Sequence, residues 1–279
     1  MKNDSKSISE RVTNLLNKES VIGESIFNKL MSLVCHHKGC IAGSIIMQAL
    51  LNIKVYDLEW MKSDVDIWLP EKATIGSFID MLTTEGYTFT KLNPESRATY
   101  ARLTKYVSAI YLFTRPGKKT IQVMLCKVER ASQVVNTFDI LAAKILYREN
   151  KNGDRRVGVI RTDGNEALKQ CIARKLSISE YASENQSLAE WIRTTARLAK
   201  YKKRGFELTD RAELATIVAH ATKQSIKEYH PIYGTGTEEF NLDKIAIHLL
   251  PFLGKGQHFY VDVHSYKSAP TLEIKTGPR

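Results

Sequence analysis

Two aspartates, Asp64 and Asp66, stand two positions apart in a short run that contains Val65, Ile67 and Trp68. Such a run favours a β-strand, on which alternate side chains share a face, so both carboxylates should project to the same side. Two carboxylates this close repel each other unless cations lie between them. A pair of Mg²⁺ ions roughly 4 Å apart commonly bridges such carboxylates and serves phosphoryl or nucleotidyl transfer. The pattern therefore predicts that Asp64 and Asp66 bind Mg²⁺ or Mn²⁺.

Gly43 and Ser44 precede this strand and begin an apolar segment, 45–51, that favours a short buried helix. A glycine lets a backbone approach phosphate groups closely. A serine hydroxyl, together with the N–H groups at the start of a helix, can bind phosphate oxygens. We therefore expect Gly43 and Ser44 to contact phosphate groups.

The sequence Gly-Ser, a helix and then a strand with Asp-x-Asp resembles the DNA polymerase β-like nucleotidyltransferase superfamily over about residues 40–165. That superfamily holds poly(A) polymerases, CCA-adding enzymes, and nucleotidyltransferase toxins and resistance enzymes. The resemblance implies that an acceptor hydroxyl attacks the α-phosphate of a nucleoside triphosphate, with Asp64 and Asp66 as catalytic metal ligands. It also implies that Gly43, Ser44 and Ser63 contact the nucleotide.

The superfamily often carries a third carboxylate on a later strand. In this sequence that strand covers 120–124, and Gln122 stands at the corresponding position. Glutamine brings no charge and binds Mg²⁺ weakly. We expect Gln122 either to contact the nucleotide or to complete the metal shell. Asp139, at the start of the next apolar segment, is an alternative source of the third catalytic acid, and a cap or turn role explains it equally well.

The periodicity of the chain predicts an α+β fold. Apolar residues at helical spacing indicate helices over 7–17, 20–34, 71–85, 165–176, 209–228 and 242–250. Strand-like stretches cover 64–70, 87–92, 107–114 and 120–125, of which 107–125 form a hairpin, and a further short strand candidate covers 259–263. Asn-Gly within 149–154 indicates two more antiparallel strands, although 141–147 fits a helix equally well. We expect a nucleotidyltransferase core with a small mixed sheet over 1–163, a mostly helical domain over 164–279, and a mobile tail from Lys267.

Residues 187–204 show a clear helical period, with an apolar face that includes Trp191 and Leu198. Four cations lie on the opposite face: Arg193, Arg197, Lys200 and Arg204. These charges repel one another, and a line of phosphates would relieve the repulsion, although an ordinary solvated face explains them equally well. The run from Arg197 to Phe206 also resembles a segment that follows nucleotidyltransferase-like domains in proteins of large DNA viruses.

The composition favours a partner that carries a strong negative charge and a location inside the cell. The chain has 279 residues with 41 Lys and Arg against 30 Asp and Glu, a net charge of +11, which favours RNA or another nucleic acid. It shows no apolar run near the roughly 20 residues of a membrane span, and no signal peptide is visible. Its four cysteines form no C-x-x-C pair, which fits a reducing cytoplasm, that of a host cell if the protein is viral.

Three function classes remain open from the sequence. The first is transfer of a nucleotide to an RNA 3′ end, which the net charge and the basic helix favour. The second is transfer to a protein, a tRNA or a small molecule, as toxins of the superfamily do. The third is a catalytically inactive protein that kept the fold to bind nucleic acid or to act as a scaffold, which Gln122 makes plausible.

Overall fold

The structure is a computed structural model of the chain, and it describes residues 2–92, 106–159, 165–179, 188–208, 257–262 and 271–276. The chain divides into two compact units, Met1–Ala173 and Arg174–Arg279. The sequence placed this division after residue 163. The helices predicted over 209–228 and 242–250 lie outside the described residues.

Seven strands form one mixed sheet in the first unit. They are β1 (Cys40–Ala42), β2 (Val65–Pro70), β3 (Thr88–Leu92), β4 (Val107–Thr114), β5 (Ile121–Cys126), β6 (Ile145–Glu149) and β7 (Arg155–Val159). Their order across the sheet is β3-β4-β5-β2-β1-β6-β7. β2 and β5 run parallel, and the other neighbours are antiparallel. The predicted α+β class and the β4–β5 hairpin are thereby confirmed.

Helices cover this sheet. They are α1 (Lys2–Leu16), α2 (Glu24–His36), α3 (Ser44–Leu50), α4 (Gly76–Thr84), α5 (Ala131–Asn136) and α6 (Glu166–Ile172), with a 3₁₀ turn at Leu141–Ala143. α4 begins later than predicted, because Glu71 donates its N–H to the Val128 carbonyl and does not enter a helix. The ambiguous stretch 141–147 divides into the 3₁₀ turn and the start of β6.

β2 is buried on both faces, which determines where Asp66 can lie. Asp64, which was predicted to lie on this strand, directly precedes it. Val65 and Ile67 are fully buried on one face. On the other face Trp68 packs against Phe138, with 5.3 Å between ring centroids, in an apolar cluster to which α5 contributes. Asp66 is half-buried at the edge of that cluster, so the polar site lies where the apolar layer ends.

The four cysteines are free thiols in the structure. Burial raises the pKa of Cys40 and of Cys126 to about 12. Both side chains are therefore protonated at neutral pH and behave as core residues, which excludes them as thiolate nucleophiles.

Besides the short strand predicted over 259–263, the second unit contains strands that the sequence did not predict. α7 (Leu188–Lys203) confirms the predicted helix, and β8 (Lys175–Leu176) pairs in parallel with β9 (Glu207–Leu208). β10 (Gln257–Asp262) pairs with β11 (Thr271–Thr276), so the tail that was expected to be mobile contains a strand. The short apolar alternation in β11 becomes a strand only because β10 supplies its backbone partners. In the part of the chain that the structure describes, no helix is long and apolar enough to cross a membrane.

Candidate active site

The sheet brings Asp66 next to Gln122 and to the Gly43-Ser44 turn. Asp66 lies opposite Ala42 on β1 and opposite Gln122 on β5. Directly paired residues of neighbouring strands project to the same face, so these positions form one row across the sheet. Because Gly43 follows Ala42 directly, it lies beside this row, just past the end of β1. Strand pairing therefore assembles residues that are distant in the sequence.

Gly43 lies against the carboxylate of Asp66. Its φ of +91° and ψ of −158° belong to a region that only glycine occupies readily. A Cβ atom added at Gly43 would lie 2.7 Å from Asp66 Oδ2, which is closer than real contacts allow. The sequence predicted that this glycine admits phosphate. The structure shows that it admits the Asp66 carboxylate, and Ser44, the first residue of α3, is buried beside it.

Gln122 contacts the first aspartate of the pair. Its Nε2 donates a hydrogen bond of 2.5 Å to Asp64 Oδ2, and both side chains are half-buried. An amide donor offsets part of the negative charge of Asp64, where a third carboxylate would repel it. The side chain predicted to replace the third acid is therefore part of the site, as an orienting partner of Asp64.

Lys119 is a site residue that was not predicted from the sequence. It is only 6% exposed, and its Nζ donates to the carbonyls of Trp60, Met61 and Ser63, each at 3.1 Å. These carbonyls belong to the loop that leads directly into Asp64. Lys119 thus holds the loop in place, and the alternation of Lys119 with the buried Ile121 and Val123 could have indicated that it points inward.

Ser63 and Asp139 are both buried. Ser63 is 2% exposed, with its backbone N–H bonded to Trp60 O and its carbonyl to Lys119. Asp139 lies between α5 and the 3₁₀ turn, where it takes part in an interaction of the fold. Among the described residues, no group of three or more His, Cys, Asp or Glu side chains could hold a metal ion. The structure therefore does not add Asp139 to the Asp64–Asp66 pair.

The donor set nevertheless fits Mg²⁺. Mg²⁺ in phosphoryl-transfer sites is commonly bound through one or two carboxylates, with substrate phosphates and water completing its shell. Asp64 and Asp66 supply two carboxylates that are partly exposed. Together with a bound triphosphate, this pair would be a sufficient protein contribution.

The predicted basic face of α7 is only partly present. Lys200 is exposed and Arg197 is half-buried, whereas the side chain of Arg193 lies outside the described residues. Arg204 was predicted to face solvent, and this prediction is wrong, since Arg204 is 5% exposed with its guanidinium 5.5 Å from the Tyr201 ring centroid. The cause is that α7 ends at Lys203 and the chain turns at Gly205. Leu198 and Ala199 are buried, as predicted for the apolar face.

We predict that Gly43→Ala lowers the free energy of unfolding by about 1–3 kcal/mol, because it strains the backbone and pushes a methyl group into Asp66. Gly76→Ala is the matched control. A Cβ at Gly76, the first residue of α4, meets nothing within 4 Å, so that variant should be neutral or slightly more stable. Denaturant unfolding of both variants measures the difference. Equal stability of the two would contradict the contact between Gly43 and Asp66.

Solved structures with a similar fold include CCA-adding enzymes. The Thermotoga maritima CCA-adding enzyme complexed with tRNA_CCA aligns with a TM-score of 0.52 and 14% identity, over 86% of this chain and 53% of that one. A complex of a CCA-adding enzyme with CTP aligns with a TM-score of 0.49 and 12% identity, over 86% of this chain and 55% of that one. This chain thus spans about half the length of these enzymes. At this identity the first alignment shows a shared fold.

Sequence comparison points to a family. No curated protein matches the chain. A family model described as Gad2, Gabija anti-defense 2 family protein, matches residues 6–170, which is more than half of the chain and includes Gly43, Asp64, Asp66 and Gln122. The chain therefore belongs to the Gabija anti-defense 2 family.

Proposed function

We propose that the chain is a metal-dependent nucleotidyltransferase that moves a nucleoside monophosphate from a nucleoside triphosphate to a hydroxyl acceptor, an RNA 3′ end in the first instance. The observation that carries this proposal is the pair Asp64 and Asp66 at the start of β2, with Gly43 against one carboxylate and Gln122 bonded to the other. The sheet that presents them is of the kind found in a CCA-adding enzyme. As a member of the Gabija anti-defense 2 family, the chain would use such a transfer against Gabija defence.

Each residue of the site has a physical role in this reaction. Asp64 and Asp66 would hold Mg²⁺. The bound ion would neutralise phosphate charge and lower the pKa of the acceptor hydroxyl. Gln122 orients Asp64 through its hydrogen bond. Gly43 and Ser44 would contact the triphosphate at the Asp66 end, while Ser63 and Lys119 shape the loop before Asp64.

The test is incubation of the full chain with each labelled nucleoside triphosphate, with Mg²⁺ or Mn²⁺, and with total RNA or cell protein. Label on RNA 3′ ends is the expected result. Label on protein, on tRNA or on a small molecule would keep the reaction and change the acceptor to that of toxin-like relatives. Absence of label on every acceptor would reject the reaction.

A second function, binding of nucleic acid without catalysis, is favoured by one observation. The position of the third acid holds Gln122, whose amide donates to Asp64, and among the described residues no group of three or more His, Cys, Asp or Glu side chains could hold a metal ion. A catalytically inactive scaffold of this fold would bind RNA with no need for metal. RNA affinity that is unchanged by EDTA and by Asp64→Asn, with no transfer, would favour it.

We predict that Gln122→Asp makes the protein respond to Mg²⁺. Without metal the new charge beside Asp64 should cost about 1 kcal/mol of stability relative to Gln122→Asn, because asparagine has the size of aspartate and no charge. With Mg²⁺ the difference should shrink or reverse, and transfer activity should hold or rise. Thermal unfolding of both variants with and without Mg²⁺ measures this. A stability difference between the two variants that is the same with and without Mg²⁺ would argue against a metal bound at Asp64 and Asp66.

We predict that Arg197→Gln combined with Lys200→Gln weakens RNA binding and lowers the slope of log affinity against log salt by about 1.4, or 0.7 per lost contact. Lys72→Gln, at an exposed lysine on the first unit, is the control. If RNA affinity is unchanged in the double variant, Arg197 and Lys200 belong to an ordinary solvated face.

Arg204→Gln should behave differently, because this buried side chain supports the fold and its loss should cost about 1–3 kcal/mol of stability.

A further inference from the structure

A cleft of about 460 Å³ opens beside Asp64, between the loop that contains residues 55–64 and the turn 117–120 that joins β4 to β5. Asp64 forms part of its wall, together with Tyr56, Met61 and Lys62. This volume is typical of sites that bind small molecules. The described residues of the cleft wall include Asp64 but not Gly43 or Ser44. The cleft therefore contacts the aspartate pair on the Asp64 side, whereas Gly43 lies against Asp66.

The cleft is lined by three lysines in different states. Lys119 is committed to the three loop carbonyls. Lys118 contacts Glu19 Oε2 at 2.5 Å, and the hydrogen bond from Lys118 holds the pKa of Glu19 below its ordinary value. Lys62 is exposed, and it forms no hydrogen bond or ion pair with any residue that the structure describes. Its ammonium group is therefore available to an anionic ligand at the mouth of the cleft.

Exposed apolar side chains surround the same mouth. Tyr56 is 73% exposed and Met61 is 55% exposed, although both line the cleft. Exposed apolar side chains that cluster at a cleft with polar residues around them, and are not scattered singly, mark ligand-binding grooves. An accessible aromatic ring beside an available lysine matches a nucleotide, whose base stacks on the ring and whose phosphate binds the ammonium. A purely apolar ligand would leave Lys62 without a partner.

We propose that this cleft receives the acceptor as a nucleotide unit, with its 5′-phosphate on Lys62, its base on Tyr56 and its free 3′-hydroxyl directed towards Asp64. This inference rests on the proposed nucleotidyl transfer, because it assigns the second substrate of that reaction. In the transfer step the 3′-hydroxyl oxygen bonds to the α-phosphorus and the bond from the α-phosphorus to the bridging oxygen breaks. Pyrophosphate leaves with that electron pair, and the hydroxyl proton passes to solvent.

The test measures binding to the full chain without transfer. A fluorescent oligoribonucleotide with a free 3′-hydroxyl and adenosine 5′-monophosphate are the two acceptor probes, and a non-hydrolysable nucleoside triphosphate is the donor probe. The variants are Tyr56→Ala and Lys62→Gln, and Lys54→Gln is the control, an exposed lysine of the same loop outside the cleft wall.

Tyr56→Ala should weaken acceptor binding at least about five-fold, as expected for loss of one stacked base. Lys62→Gln should weaken it and lower the salt slope by about 0.7 on a single strand. Lys54→Gln should change neither, and donor affinity should stay constant in all three. An effect on the oligoribonucleotide identifies a strand end as the acceptor, and an effect confined to the monophosphate identifies a small phosphorylated acceptor.

Two results would overturn the assignment: unchanged affinity for both acceptor probes in both variants, or a loss of donor affinity in place of acceptor affinity. Failure of the proposed function looks different. If the wild type binds the oligoribonucleotide through Tyr56 and Lys62 but transfers no label, the cleft remains a nucleotide site and nucleotidyl transfer is rejected. If transfer proceeds while the variants bind both acceptor probes normally, transfer stands and the cleft is rejected.

Discussion

The double variant Asp64→Asn with Asp66→Asn is expected to lose nucleotide transfer by at least about 100-fold, because bound metal contributes several kcal/mol of charge stabilisation in the transition state. Asparagine keeps the shape and an oxygen acceptor for the hydrogen bond from Gln122, so the fold should survive. Stability without metal should hold or rise slightly, since the repulsion between the two carboxylates is removed. Transfer rates with labelled triphosphate and denaturant unfolding give the two readouts.

Asp80→Asn is the control for this variant, because Asp80 is an exposed aspartate on α4 outside the site. It should leave both transfer and stability unchanged. Transfer that survives the double replacement would remove the pair from the mechanism. A large fall in stability of the double variant, with Asp80→Asn unaffected, would show instead that the aspartates support the fold.

The second large effect is expected for Lys119→Met, which should lower the free energy of unfolding by about 3 kcal/mol or more. Hydrogen bonds from a charged donor are among the stronger ones, and the change leaves three carbonyls of the loop before Asp64 without their common donor. Transfer should fall as well, since this loop determines where Asp64 enters β2. Denaturant unfolding and the rate at saturating triphosphate measure the two effects.

Lys127→Met provides the control at the other end of β5, where Lys127 is exposed. Its stability should change by less than about 0.5 kcal/mol, as is usual for surface substitutions. If Lys119→Met were as stable as Lys127→Met, the three bonds from Lys119 would contribute little, and its assignment as the residue that holds the loop would be wrong.

Much of the first unit was predictable because its elements are long enough to show a period. Residues 107–114 are long enough to show a run rich in β-branched and aromatic side chains, and they form β4 with the predicted bounds. The three residues of β1 are too few to show a period, and β1 exists because β2 and β6 supply backbone partners on either side. β11 was missed for a related reason, since its backbone partners come from β10 and not from its own six residues.

Arg204 shows how local periodicity can mislead. Counting at helical spacing places it with Arg197 and Lys200, but this holds only while the helix continues. The turn at Gly205, whose φ is +82°, ends α7 and directs Arg204 inward against Tyr201. Where a helix ends relative to its last cation depends on packing that the sequence pattern does not contain.

By itself the sequence determined the pair Asp64 and Asp66 at the start of a strand, the glycine and serine at the start of α3, and the glutamine at the position of a third acid, because residue type and short-range spacing decide these features. The tertiary structure alone decided which atoms meet. The parallel pairing of β2 with β5 brings Gln122 to Asp64, and the end of β1 brings Gly43 to Asp66. These contacts follow from strand order and register, which are set by long-range backbone pairing and burial of both faces of the sheet, and no local pattern encodes them.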